Sequence, residues 1–197
     1  MDLKTGRSKS QTVRNLEKAT RANVRSSGSD TRVIEYNCGV GDVTDNTWYV
    51  RSFGEAQNSL VTSFNLGTAA APVFDFTGTS IGTYGDAIIS RKAKIKDAQM
   101  IAVQQGTAGD KVFKVWVGYV PFTPGTDIAK ASVAATAVGT VQDFTATDDW
   151  TLSSKTFTGL QNKEIPANSI LVIAIKKVSG PTNACGLQLK FDLEYKN

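Results

Sequence analysis

Near the C-terminus, Leu187, Leu189, Phe191, Leu193 and Tyr195 alternate with Gln188, Lys190, Asp192 and Glu194. A two-residue period suits a β-strand with one buried face and one wet face, and it suits no helix. Other stretches follow the same rule. In "KVFKVWVGYV" (111–120), Phe113, Val115, Val117 and Tyr119 fall on one side, with Lys114 and Trp116 on the other. "SILVIAIKK" (169–177) is a continuous apolar run, which predicts a strand covered on both faces. "AKIKDAQMIAVQ" (93–104) has a β-rich second half, and shorter strands are expected over 32–36, 47–52, 59–65, 72–77, 86–90 and 155–159.

Turn clusters such as "TGTSIGTYGD" and "QGTAGDK" separate these runs. With no helical periodicity after residue 32, the chain reads as all-β: an antiparallel β-sandwich or jelly roll of about nine or ten short strands. "TDIAKASVAATAVG" (126–139) is the exception, an alanine-rich stretch that suits a short helix or an extended loop. No internal repeat and no second domain is visible. The expected division is a basic N-terminal arm over 1–31 and a sandwich over 32–197.

The 197 residues fit one domain plus an appendage, and 41% hydrophobic with 20% charged residues is ordinary for a soluble globular chain. No apolar run approaches the roughly 18 residues of a membrane span. The N-terminus lacks the apolar core of a signal peptide. Cys38 and Cys185 lie far apart in the chain and read as small buried hydrophobes, which implies a reducing site of synthesis.

There is no histidine. That removes the Ser-His-Asp and Cys-His nucleophile systems and the two-histidine zinc motifs. Acidic residues are scattered; the one adjacent pair, Asp148–Asp149, suits a turn better than a metal site. "GDVTDN" (41–46) fails the calcium-loop spacing and also reads as a turn. No phosphate-binding loop, dinucleotide fingerprint or paired CxxC occurs. The expectation is no catalytic residue, no metal, no cofactor and no enzyme activity.

Charge is concentrated at the start. Residues 1–32 hold eight basic and three acidic side chains, a net +5, while the remainder is close to neutral at −1. Ser8 and Gln11 match a capping box, and "SSGS" (26–29) supplies a stop, so a short helix is expected between them. Arg14, Lys18, Arg21 and Arg25 then form one basic stripe, and Val13, Leu16 and Val24 lie on a largely opposite face. So thin an apolar stripe cannot hold a helix in isolation; the arm is expected to dock on a partner subunit or a negatively charged surface, the alternative being a solvated helix packed lightly on its own domain. Arg7, Lys9, Val13, Arg14, Leu16, Lys18, Arg21, Val24 and Arg25 are the candidate contacts. Membrane docking is disfavoured, because the arm has no aromatic anchor.

The C-terminal third, "FTGLQNKEIPANSILVIAIKKVSGPTNACGLQLKFDLEYK", and the central "DAQMIAVQQGTAGDKVFKVWVGYVP" resemble the closing strands and central hairpin of jelly-roll proteins in tailed-bacteriophage virions, including head decoration or cement proteins. The resemblance covers roughly the last half of the chain and rests on strand and turn patterns. It implies a non-enzymatic virion subunit, often trimeric, assembled in the host cytoplasm and clamped onto a lattice of capsid protein. Two other roles fit the same residues. One is a main capsid or nucleocapsid subunit whose arm meets nucleic acid through sequence-independent phosphate contacts. The other is a carbohydrate-binding or adhesion-fibre module using Trp48, Tyr49, Tyr84 or Trp150, although each of these suits a packing role better.

Overall fold

In the computed structural model, residues 30–40, 45–50, 64–66, 68–72, 87–104, 109–125, 135–147, 150–181 and 185–195 are described. Twelve strands and one 3-10 turn occupy them. The strands are β1 (Asp30–Val40), β2 (Trp48–Val50), β3 (Phe64–Asn65), β4 (Ala87–Ile89), β5 (Ala93–Gln104) and β6 (Lys111–Pro121). They continue with β7 (Thr136–Ala137), β8 (Gln142–Ala146), β9 (Leu152–Thr156), β10 (Glu164–Ile165), β11 (Ser169–Ser179) and β12 (Cys185–Tyr195); the 3-10 turn is Thr158–Leu160.

All pairings are antiparallel and form two sheets. Sheet A runs β1-β12-β5, with β9 and β10 sharing the far side of β5. Sheet B runs β3-β2-β11-β6, with β4 on the β2 side of β11 and β7 and β8 sharing the far side of β6. The chain changes sheet between β1 and β2, β4 and β5, β5 and β6, β8 and β9, β10 and β11, and β11 and β12. This is the double-sheet jelly roll expected from the sequence.

Alternation places the core. Met100 and Ala102 of β5, Phe113, Val115 and Val117 of β6, Leu171, Ile173 and Ile175 of β11 and the odd-numbered residues 185–195 of β12 pack between the sheets. β11 is buried from Ser169 to Lys177, so the continuous apolar run is covered on both faces, as expected. A plain two-layer sandwich would leave one face of that strand wet. Here the second face joins Trp48, Val50, Leu66, Trp116, Val120, Ile170, Val172 and Ala174 in a separate apolar cluster outside sheet B. The segment after β3 helps to close it: the Leu66 amide donates to the Trp48 carbonyl (2.8 Å), and the Trp48 indole Nε1 donates to the Ala69 carbonyl (3.0 Å). Within this cluster the Trp116 ring lies across Gly118, where a Cβ would fall 1.9 Å from Cη2.

The two long sides of the sandwich differ. On one, β8 and β9 bring the sheets together. The Thr147 amide donates to Ser153 Oγ (2.7 Å), and Lys155 Nζ donates to the Asp143 carbonyl (2.7 Å). On the other, β1 pairs with β12 from Asp30↔Tyr195 to Val40↔Cys185, and among the described residues no strand pairs with its outer edge.

Several expectations are corrected. The strand expected at 155–159 lies at Leu152–Thr156 and runs into the 3-10 turn. β7, within the alanine-rich stretch, and β8 and β10 were not anticipated; residues 126–134 of that stretch lie outside the described residues. β8 hid because only Phe144 and Ala146 of "QDFTA" turn inward, too few apolar positions to stand out. The strand expected at 72–77 also lies outside the described residues, apart from a buried Pro72.

Candidate interaction surface

The arm contacts proposed from the sequence, Arg7, Lys9, Val13, Arg14, Leu16, Lys18, Arg21, Val24 and Arg25, all lie outside the described residues, and so does the expected helix. The place where the arm joins the body is described. Asp30, the first residue of β1, accepts an ion pair from Arg91 (2.6 Å), and the Arg91 guanidinium stacks 5.1 Å from the centre of the Tyr195 ring. Both ion-pair side chains are substantially exposed, so the pair orients the root of the arm more than it stabilises the fold.

At the opposite end of the sandwich lie the strand ends joined by four of the crossings between sheets: β1 to β2, β5 to β6, β8 to β9 and β11 to β12. Two features there bear on function. The first is a displayed apolar group. Trp150 is 62% exposed and Leu152 68% exposed. Leu152 pairs with Val103, and Ser154 with Ile101, so Leu152, Val103 and Ile101 share the outer face of sheet A beside Trp150. The Trp150 amide donates to the Gln104 carbonyl (2.9 Å), which fixes its turn to the end of β5.

Trp150 also has φ of 55°, in the left-handed region that a large side chain rarely occupies. Asn46, Asn162 and Asn168 share that region, where asparagine is at home. A strained backbone holding a bulky aromatic out in water is the kind of outlier that marks a binding position.

The second feature is a polar inner end to the core. Gln104 and Lys111 are fully buried, and Cys185 and Lys177 nearly so. Lys177 Nζ pairs with Asp45 Oδ1 at 2.8 Å, and the Asn46 amide donates to the Lys177 carbonyl (2.7 Å), so the turn before β2 is pinned to β11. Gln104 Nε2 donates to the Gly109 carbonyl (2.7 Å), so the end of β5 is tied to the start of the approach to β6; these two strands lie in different sheets, and the hairpin implied for this stretch by the resemblance is a crossover. Burial pushes the Cys185 thiol up to about 11, opposed by the nearby positive charge of Lys111. The thiol is therefore neutral at ordinary pH and a poor nucleophile or metal ligand. This end ties loops together and offers little chemistry.

The aromatic candidates divide. Trp48 is fully buried, with Lys176 Nζ 4.8 Å from its ring centre, and Tyr49 packs partly buried against the inter-sheet core. Tyr84 lies outside the described residues. Of the three that are described, Trp150 alone is displayed, against the packing role expected for it. Its signal in the sequence was only its neighbourhood, "TDDW", a polar turn in which an indole has no apolar partner at i±2 except Leu152. The expected turn at Asp45 and Asn46 is present. Asp148 and Asp149 lie outside the described residues, and among the described residues no cluster of three metal-ligating side chains occurs.

No protein family and no curated protein matches the chain. Solved structures similar to it include a chain of the empty head of turnip yellow mosaic virus, at TM-score 0.32 and 12% identity, covering 86% of this chain and 82% of that one. A chain of the heated full particle of Israeli acute paralysis virus reaches TM-score 0.30 at 13% identity, covering 98% and 81%. A Clostridium thermocellum endo-1,4-beta-D-xylanase with CBM22-1 and GH10 modules reaches 0.30 at 11% identity, covering 85% of this chain and 26% of that one. Two of the three come from virus particles and none from a tailed-phage decoration protein. Likenesses this slight carry no argument about activity.

Proposed function

We propose that this chain is a non-enzymatic virion structural subunit of the capsid decoration or cement type, joined to neighbouring capsid proteins by its N-terminal arm and by its body. The jelly roll suits that role, as it does lectin modules, so the fold supplies a prior and the surface must supply the reason. One observation carries the reading. The root of the +5 arm at Asp30 and the displayed Trp150–Leu152 group lie at opposite ends of the sandwich, about 30 Å apart by the length of an eleven-residue strand. A body with a cationic tether at one end and an apolar contact at the other can bridge two neighbours, and two linked contacts reinforce each other through effective concentration.

The test is co-sedimentation with particles stripped of this protein. Deleting residues 1–29 is expected to leave a β-rich fold by circular dichroism and to abolish particle binding. Trp150→Gly with Leu152→Ser is expected to weaken binding at least tenfold. Binding retained by both variants overturns the reading. A salt series with random RNA separates the capsid-subunit alternative, in which the arm holds nucleic acid with a steep salt dependence.

The exposure of Trp150 favours a second reading, a carbohydrate-binding module, since an exposed indole is a stacking platform for a sugar ring. A glycan array probed with the full chain and with Trp150→Ala decides it: signal lost in the variant supports sugar binding, and no signal from either removes it.

A further inference from the structure

We infer that the outer edge of β1 is a self-recognition site, at which β1 of a second copy of this chain pairs antiparallel about a two-fold axis. The inference goes beyond the proposed capsid role and does not depend on it. An eleven-residue strand with one side paired to β12 directs the backbone N–H and C=O groups of alternate residues outward. Natural edge strands blunt this invitation with proline, charged side chains (lysine above all), bulges or a covering loop, and the charges on β1 are three of mixed sign, Asp30, Arg32 and Glu35. β1 contains no proline and no lysine, and its pairing with β12 runs without a register shift. Asp30, Thr31, Arg32 and Glu35 are exposed and Val33 is 49% exposed, with Ile34 turned into the core, and among the described residues no strand pairs with this edge.

Side-chain parity and charge choose the partner and the register. Facing residues in an antiparallel pair lie on the same face of the sheet, so a continuous two-fold sheet must be centred on a residue facing its own copy. Centring on Arg32 or Glu35 sets like charges directly opposite, which is destabilising. Centring on Val33 avoids both. It sets Val33 against Val33 on the outer face, covering the one large exposed aliphatic of the strand, and sets Thr31 opposite Glu35, a hydroxyl donor beside a carboxylate acceptor. The sequence around Val33 is therefore complementary to itself. The contact is isologous and closes at two copies, unlike the threefold assembly implied by the resemblance. It also places the two copies of Asp30 at opposite ends of the shared strand pair.

Light scattering of the full chain across concentration, up to roughly 0.3 mM where weak contacts populate, tests the inference. The mass is expected to rise from 21.1 kDa toward twice that value. Val33→Lys, which sets two ammonium groups face to face at an exposed position, is expected to hold the mass at one chain while leaving the circular dichroism spectrum unchanged.

Disulfide trapping checks the register. Facing Cα atoms about 4.5–5.5 Å apart lie within disulfide reach, whereas residues offset by four positions are about 13 Å apart along the strand. In a Cys38→Ser background, Val33→Cys is expected to cross-link into a dimer under mild oxidation and Thr31→Cys is not. A single-chain mass at every concentration, a Val33→Lys variant that still dimerises, or equal cross-linking at both positions overturns the inference.

Discussion

The β8/β9 side and the β1 side of this sandwich solve the problem of the sheet edge in opposite ways. Where β8 and β9 meet, short strands are tied across the gap by Thr147 to Ser153 and by Lys155 to Asp143, and Phe144 and Ala146 fill the space behind them. One backbone amide, that of Thr147, and one carbonyl, that of Asp143, are taken up there by side chains from across the gap. The β1 side keeps a long, regular strand whose first residues stand in water on both faces. Its described tie to sheet B is the turn at Asp45 and Asn46, held by Lys177. One side is built to be finished and the other to be continued.

That contrast can be broken by measurement. Phe144→Ala, which empties a core position between the sheets, is expected to cost about 3–5 kcal/mol in urea unfolding. Asp45→Ala leaves the buried Lys177 ammonium without its carboxylate. Asp45 is half exposed and water can partly replace it, so the expected loss is about 2 kcal/mol, read in the same titration.

Ser153→Ala removes the acceptor of the Thr147 amide in the closed seam and is expected to cost about 1 kcal/mol. Val33→Ala on the open edge is expected to change the stability of the dilute monomer by less than about 0.5 kcal/mol. Equal costs for Val33→Ala and Phe144→Ala would mean the edge is packed like the seam, and the comparison would fail.

Trp150→Gly sharpens the functional side of the same contrast. Glycine relaxes the left-handed φ, so the variant is expected to match or exceed the parent by up to about 1 kcal/mol in thermal unfolding. A clear loss would mean that the indole packs on the body, and it would remove Trp150 from the docking surface.

Much of this fold was legible because period-two burial leaves a direct trace. β6, β11 and β12 stand within a residue or two of their expected bounds, β5 fills the whole of 93–104 where only its second half was expected, and the uninterrupted apolar run of β11 announced that both of its faces would be covered. The strands that escaped notice bury few side chains: none in β7, Phe144 and Ala146 in β8 and Ile165 in β10. Their position is set by pairing to longer neighbours, which local sequence does not encode.

Lys111 and Lys177 were hidden for the opposite reason. A lysine at an inward position reads as a surface residue until the ends of the other strands arrive to bury it. Trp150 was read as packing because an aromatic is usually buried; a displayed one depends on a backbone strain invisible in composition. The arm residues rest on charge and helical spacing alone.

The absent side chain at Gly118 has a consequence for how this protein can change over time. The indole of Trp116 rests on the bare backbone there, so a methyl group at 118 would evict the ring from the cluster outside sheet B. Neither position can drift by itself. Substitution at one opens a hole or forces a collision at the other, and relatives that lose the tryptophan are expected to fill position 118 in the same step.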